Sequence, residues 1–271
     1  MAVCLIGLAL HLLIIFYGPG RNGKGALLRL IEKVLGRELF AVALRPEDVE
    51  YHRGSEDRNK RLMGRLRGKR LAYTGETVSG HLDWTLLKML TGGDTLAGAD
   101  LYKNTEGFAP SHTLILTTND RPVLPATAAF EGRLRFVPFL ADFTGREDLE
   151  LENTLESEMP GILWRLIKIA PQVFNGDNPP WVVRDASEDV MDENDVARPF
   201  IEQCLVTDPD AVTPAPEMEA AIQKWVGTLA IGSPDTARIM EGVRSKWVHR
   251  RKRTPQGQIR GFIGVRIRVA S

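Results

Sequence analysis

Apolar residues recur along this chain in short runs separated by amphipathic stretches, and that alternation sets the first expectation. Residues 12–17 form a continuous apolar run, the mark of a buried strand, with a short helix expected before it. A helical pattern follows at about 24–36. Residues 69–76 read as a second strand ending in an acid, Glu76. Residues 82–90 read as a helix that Thr91-Gly92-Gly93-Asp94 breaks. Residues 113–120 are apolar and then polar, a third strand ending at Asn119 and Asp120. Strands alternating with helices predict an α/β fold with a mostly parallel central sheet.

The pattern changes after a cluster of turn formers at 175–180, which predicts a boundary between a domain at 1–180 and a smaller one at 181–271. Residues 199–205 and 218–226 read as amphipathic helices, and Ser233-Pro234-Asp235 as the cap of a third at 236–247. A basic turn at 249–258 then leads into a β-ribbon at 259–268. Helices, basic turn and ribbon together outline a winged helix.

Composition adds little until it is divided along the chain. Lys plus Arg and Asp plus Glu both number 35 in the 271 residues. Residues 181–232, however, hold three basic against eleven acidic residues, and residues 233–271 hold ten against two. The basic end is a candidate polyanion contact; the alternative is a solvated tail or an internal acidic–basic pairing. Cys4 and Cys204 match no metal or disulfide framework, which fits a reducing compartment. The apolar stretch at 2–17 is short for a membrane span and lacks the preceding basic residues of a signal peptide. A chain that opens so near its first motif reads as the C-terminal part of something longer.

That motif is Gly18-Pro19-Gly20-Arg21-Asn22-Gly23-Lys24-Gly25, which matches G-x-x-x-x-G-K between a strand and a helix. Gly18, Gly20, Asn22, Gly23, Lys24 and Gly25 are the candidate nucleotide-binding residues. Glycines let backbone N–H groups wrap a polyphosphate, the helix N-terminus adds a favourable dipole, and Lys24 would bridge the outer phosphates. The next position is normally Ser or Thr, whose hydroxyl ligates Mg²⁺; here it is Gly25. Ligands of such sheets sit beyond the carboxyl ends of the strands, where Glu76 and Asn119 would face the loop. A carboxylate there can hold Mg²⁺ through water and orient the attacking water, and a neutral Asn can position it without adding charge. The alternative for Glu76 is a strand-end surface acid, and Asn119 taken alone reads first as a turn former; the two argue for a site only as a pair.

In order, the loop, residues 71–76, Leu90-Thr91-Gly92-Gly93-Asp94, Leu101-Tyr102-Lys103, residues 117–122 and residues 132–139 resemble the superfamily 3 helicases. The branch most similar is that of the phage and plasmid primase-helicases, related to poxvirus-type DNA primases. The resemblance covers about residues 12–145 and implies an AAA+-like P-loop ATPase using ATP and Mg²⁺. It gives Lys24 the β/γ-phosphates, makes Glu76 the Walker B acid and Mg²⁺ contact through water, and makes Asn119 the γ-phosphate sensor. It makes Arg133 a finger reaching the ATP of a neighbouring subunit in a hexameric ring, with Arg135 as the competing assignment. Residues 94–110 resemble the family's hairpin that grips single-stranded DNA, with Lys103 its best-placed cation and Lys88 a lesser one. Members of the branch commonly end in a winged helix, which would place Arg238, Arg244 and Lys246 on a recognition helix and Arg250, Arg251, Lys252 and Arg253 at the wing.

The expectation is therefore an ATP-driven, ring-forming DNA helicase acting on single-stranded DNA, with duplex DNA as a second form. Its partners would be further copies of itself and a primase domain or protein, in the cytoplasm of a bacterial host and without a membrane. Three other readings stay open. They are a truncated or degraded remnant that binds DNA without unwinding it, another P-loop ATPase, and a DNA-binding regulator whose nucleotide controls assembly.

Overall fold

The computed structural model describes residues 2–7, 9–54, 56–77, 82–98, 106–124, 132–174, 179–229, 235–254 and 257–268. It divides into two compact units, residues 1–123 with 132–190 and residues 191–271 with 124–131.

The first unit opens with α1 (Ala2–Ile6) and β1 (Leu13–Tyr17), then α2 (Lys24–Leu35), α3 (Arg37–Phe40) and β2 (Ala41–Leu44). It continues through α4 (Glu56–Leu66), β3 (Leu71–Thr77), α5 (Trp84–Leu90), β4 (Leu96–Gly98), β5 (Glu106–Phe108), β6 (Thr113–Thr118) and β7 (Leu134–Pro138). Two long helices close it, α6 (Leu151–Phe174) and α7 (Trp181–Asn194). Five strands form one sheet in the order β2-β3-β6-β1-β7, with every pair parallel. All six residues of β6 are buried, as the apolar run at 113–118 requires of a central parallel strand covered on both faces. The loop at 18–25 leaves the carboxyl end of β1, which lies beside β6 in the sheet. Asp83 caps α5 by accepting from the Leu86 N–H at 2.9 Å, which fixes where the helix begins.

The second unit runs α8 (Arg198–Cys204), β8 (Leu205–Pro214), α9 (Ala215–Val226), α10 (Thr236–Lys246), β9 (His249–Thr254) and β10 (Gly257–Ile267). Its three strands pair antiparallel in the order β8-β10-β9 around a core of Phe200, Met218, Ile222, Ile239, Val243, Phe262 and Val265. Asp235 caps α10 by accepting from Ala237 N–H at 2.9 Å.

Two expectations shift. The division falls inside α7, between residues 190 and 191, ten residues beyond the expected boundary at 180. The cause is packing: Val190 is fully buried, and the Phe136 N–H on β7 donates to the Ser187 hydroxyl at 3.0 Å. The basic residues at 250–253 lie on a strand, not on a turn. Backbone pairing with β10, and the His249 ring against Phe262 at 4.9 Å, override the weak strand preference of Arg and Lys. Among the described residues no helix is long and apolar enough to cross a membrane.

Candidate functional site

The loop is shaped by its own residues before any ligand is considered. Gly18 has φ 137°, and a Cβ there would stand 2.2 Å from the Phe139 carbonyl oxygen, so no larger residue fits. Asn22 donates its side-chain amide to that same Phe139 oxygen at 2.8 Å, and its Oδ1 accepts from the Lys24 N–H at 3.4 Å. Asn22 thus clamps the loop to the end of β7; its side chain serves the loop's shape. Gly23, at φ 89°, turns the chain into α2 in the left-handed region that glycine tolerates. In the first turn of α2 the Lys24 N–H is taken by Asn22 and the Leu27 N–H by the Gly23 carbonyl at 3.0 Å, and the Gly25 and Ala26 N–H groups lie where a helix N-terminus meets an anion.

Lys24 is 7% exposed, and its ammonium donates to the carbonyls of Gly18 and of Pro19, the latter at 3.0 Å, and to Asn119 Oδ1 at 3.3 Å. Asn119 in turn donates its Nδ2 to Glu76 Oε1. Burial pushes the Lys24 pKa down, and the Glu76 carboxylate opposes that shift. The three residues expected from sequence to share the site are therefore joined in one hydrogen-bonded row. They line a cleft of about 510 Å³ with Gly20, Gly23 and Gly25.

A β-bulge aims Glu76. The β3–β6 register runs Tyr73 opposite Ile115 and Glu76 opposite Thr117, three positions on one strand against two on the other. Side chains alternate along a regular strand, so Tyr73 and Glu76 would point to opposite faces; the extra residue brings both to the cleft. Thr74, fully buried, holds the bulge through Thr117: its hydroxyl accepts the Thr117 N–H and its carbonyl accepts the Thr117 hydroxyl, both at 3.4 Å. Tyr73 was not singled out from sequence. Its phenol is pushed up to about 12 by burial and by the adjacent Glu32, which Arg37 pairs at 3.1 Å. An aromatic residue in a strand of apolar neighbours gives no sequence signal of a cleft position.

Glu76 is the one carboxylate among the described residues lining the cleft, and these residues contain no three-ligand cluster of His, Cys, Asp or Glu. That set fits Mg²⁺ carried in by a triphosphate, since Mg²⁺ commonly takes one or two carboxylates together with phosphate oxygens and water. Gly25 offers no hydroxyl. Two further cations line the cleft and each faces a carboxylate, Arg21 with Glu147 at 3.4 Å and Arg29 with Glu152 at 2.5 Å.

Arg133 stands elsewhere. It precedes β7, and its carbonyl accepts the Leu13 N–H at 2.8 Å, at the amino end of β1. The loop lies at the carboxyl end, five residues or about 16 Å away at about 3.3 Å per residue. The Arg133 guanidinium donates to the Lys88 carbonyl at 3.3 Å. Arg135, on β7 opposite Ile14, donates to the carbonyls of Gly132 and Leu134 at 3.2 and 2.7 Å. The expected hairpin is present in its stems, β4 and β5, which pair antiparallel with Leu96 opposite Phe108. Lys103 lies outside the described residues.

In the second unit Arg250, Arg251 and Arg253 are exposed, Lys252 is half-buried, and Lys246 is exposed in the last turn of α10. Arg251 stands directly opposite Arg260. Like charges facing each other across a strand pair are destabilising unless an anion lies between them.

No family model matches the chain. Among curated proteins it is 28% identical over 230 residues to "Putative helicase 022R" of Frog virus 3 (isolate Goorha), covering 77% of this chain and 23% of that protein. It is 30% identical over 182 residues to "Putative helicase 121R" of Invertebrate iridescent virus 3, covering 56% and 19%. A third match, "Putative helicase L207/L206" of Acanthamoeba polyphaga mimivirus, is 28% identical over 133 residues and covers 46% and 13%. The chain spans less than a quarter of the length of these relatives. Among solved structures it is similar to the NrS-1 C terminal region, with a TM-score of 0.59 at 13% identity over 97% of this chain and 69% of that one. A second structure of that region gives 0.58 at 13% identity, over 97% and 70%. The structural likeness is one of fold, and the named relatives support a helicase-type function. All three relatives are viral.

Proposed function

We propose that this chain is the motor part of an ATP-driven DNA helicase of the phage and plasmid primase-helicase type, working as a homo-hexameric ring on single-stranded DNA. The observation that carries this reading is the row Lys24–Asn119–Glu76 at the mouth of the loop. Lys24 would exchange loop carbonyls for the outer phosphate oxygens of ATP. Glu76 would hold the attacking water and take its proton as the terminal phosphoryl group departs. Asn119, bonded to both, would register whether that group is present. Mg²⁺ would neutralise phosphate charge, with Glu76 its contact through water.

Around this centre, Arg133 would act on the ATP of an adjoining copy, Arg135 being the rival. The β4–β5 hairpin, with Lys103, would grip the strand. The order of the second unit, helix, strand, two helices and two strands, supports a winged helix in which Lys246, Arg250, Arg251, Lys252 and Arg253 hold DNA phosphates, single-stranded or duplex. A primase domain or protein would work alongside, in the cytoplasm of a bacterial host. ATP turnover and native mass of the purified chain, each with and without single-stranded DNA, test the reading. Stimulated turnover by a ring is the expected result, and turnover by a monomer that ignores DNA would overturn it.

A second reading, nucleotide binding without turnover in a DNA-binding regulator or remnant, draws on Gly25. Tight ATP binding with no hydrolysis at saturating Mg²⁺ would favour it.

A further inference from the structure

Gly25 is the second residue of α2, and Arg29 follows it by one turn. Residues four apart on a helix share a face, and side chains there lean toward the helix N-terminus. Arg29 does so: its Nη1 lies 3.2 Å from where a Cβ on Gly25 would stand. The guanidinium therefore covers the spot from which a Ser or Thr hydroxyl would reach Mg²⁺. A side chain at 25 would crowd it, and glycine leaves the place clear. Arg29 also lines the loop cleft together with Lys24, Glu76 and Asn119.

The first turns of α6 hold the guanidinium in that pose. Its Nε donates to Glu152 Oε1 at 2.5 Å, and the other oxygen of Glu152 lies 3.8 Å from the Lys33 ammonium. Lys33 in turn donates to Glu156 Oε1. Two cations four apart on α2 thus face two acids four apart on α6. The bond to Glu152 uses Nε, so the Nη groups, on the loop side, are left for a second acceptor. The Arg29 side chain is 53% exposed, and a phosphate can reach it without displacing a packed group. Guanidinium donors match phosphate oxygens in pairs, and such bonds are stronger than neutral ones. Tied to Glu152, the guanidinium cannot travel to the place of Lys24; it adds to that lysine and does not replace it.

We infer that Arg29 is a phosphate-binding residue for which Gly25 makes room. Its Nη groups meet the nucleotide's phosphates where a hydroxyl-held metal would, so nucleotide binding to this loop depends only weakly on Mg²⁺. This rests on the ATP-binding reading of the loop above and is independent of the ring.

The test measures the affinity of the full chain for ATP, by displacement of a fluorescent nucleotide, in Mg²⁺ and in EDTA. The parent should bind in both, with affinities of the same order. Arg29→Ala should lose about ten- to hundredfold in EDTA, the equivalent of one charge-assisted hydrogen bond. Its loss in Mg²⁺ should be smaller, because the metal then carries part of the charge. Loss of an exposed ion pair should leave the fold intact, which a melting curve checks. Gly25→Ser removes no charge and leaves the Glu152 pair in place. It should bind ATP more weakly than the parent in EDTA, with the guanidinium pushed aside, and more tightly in Mg²⁺. The inference is overturned if the parent binds ATP only in Mg²⁺, or if Arg29→Ala matches it in EDTA or is weakened equally in both conditions. Parent-like affinity of Gly25→Ser in EDTA overturns it too. Lys24→Ala separates the two readings: if it loses binding while Arg29→Ala does not, the loop still takes ATP and only this inference falls. If neither variant loses binding, the loop reading falls as well.

Discussion

Asn119 donates its side-chain amide to the Glu76 carboxylate and so fixes the orientation of the acid from the neighbouring strand. The same amide's oxygen accepts from Lys24 at 3.3 Å, so a flip of the amide would break both bonds.

Separable defects should follow from that arrangement. Lys24→Ala is expected to abolish ATP binding or turnover with the fold intact, because the other two cations of the cleft face carboxylates. Glu76→Gln should bind ATP and fail to hydrolyse it, since the amide keeps shape and loses charge. Equilibrium binding of a fluorescent nucleotide beside phosphate release separates the two. Normal hydrolysis by Glu76→Gln would place the acid elsewhere.

Gly25 is open to improvement. A Cβ there meets only the far end of the Arg29 side chain, at 3.2 Å. Gly25→Ser should therefore fit, lower the Mg²⁺ concentration needed for half-maximal turnover, and stabilise α2 by about 0.5 kcal/mol, as replacing a helical glycine does. A Mg²⁺ titration of ATPase with a melting curve checks both. An unchanged Mg²⁺ requirement would mean that the hydroxyl does not reach the metal.

The first unit was legible because its signals are local. The G-x-x-x-x-G-K loop, the acid ending 71–76 and the Asn that follows 113–118 each sit at the end of a strand, and parallel pairing brings such ends together. The bulge at Thr74 and Gly75 left no mark in the pattern, since one extra residue in a strand changes no composition. The strand at 249–254 was hidden because its pairing partner, not its own residues, decides its conformation. Ala186, Ser187 and Val190 drew α7 into the first unit, a choice made by packing against β7 and not by the turn residues before it. A cleft of about 440 Å³ in the first unit gathers residues 11, 88 and 133, too distant in sequence for spacing to reveal.

Charge on the ribbon should appear as salt dependence. Replacing Arg250, Arg251, Lys252 and Arg253 together by Ala should flatten the plot of log affinity for DNA against log salt by roughly 0.7–0.9 for each phosphate no longer neutralised. An Arg260→Ala variant should lose DNA affinity while gaining a little thermal stability, because Arg251 opposite it no longer faces a like charge. A quadruple variant with the parent's slope would remove β9 from the interface.

His112 makes stability depend on pH. Burial drops its pKa to about 4, below the usual 6.5. The unfolded chain therefore takes up the proton first. The stability this neutral ring allows is complete above pH 6.5 and declines as pH falls toward 4, by at most about 3 kcal/mol. Urea unfolding of the parent and of His112→Gln between pH 7.5 and 4.5 measures the difference. Equal pH dependence in both would assign acid loss to carboxylates alone.

The clamp of Asn22 on Phe139 ties the loop to one end of β7. One tip is fastened to the loop through Asn22 and through the Phe139 N–H, which donates to Tyr17 at 2.8 Å; the other tip is Arg133. In the proposed ring, a shift of the loop on meeting a phosphate would reach Arg133 through five residues of hydrogen-bonded strand. Copies so arranged would pass timing from one nucleotide to the next along that strand. Under that reading, the order of firing would be set by the length of a single strand.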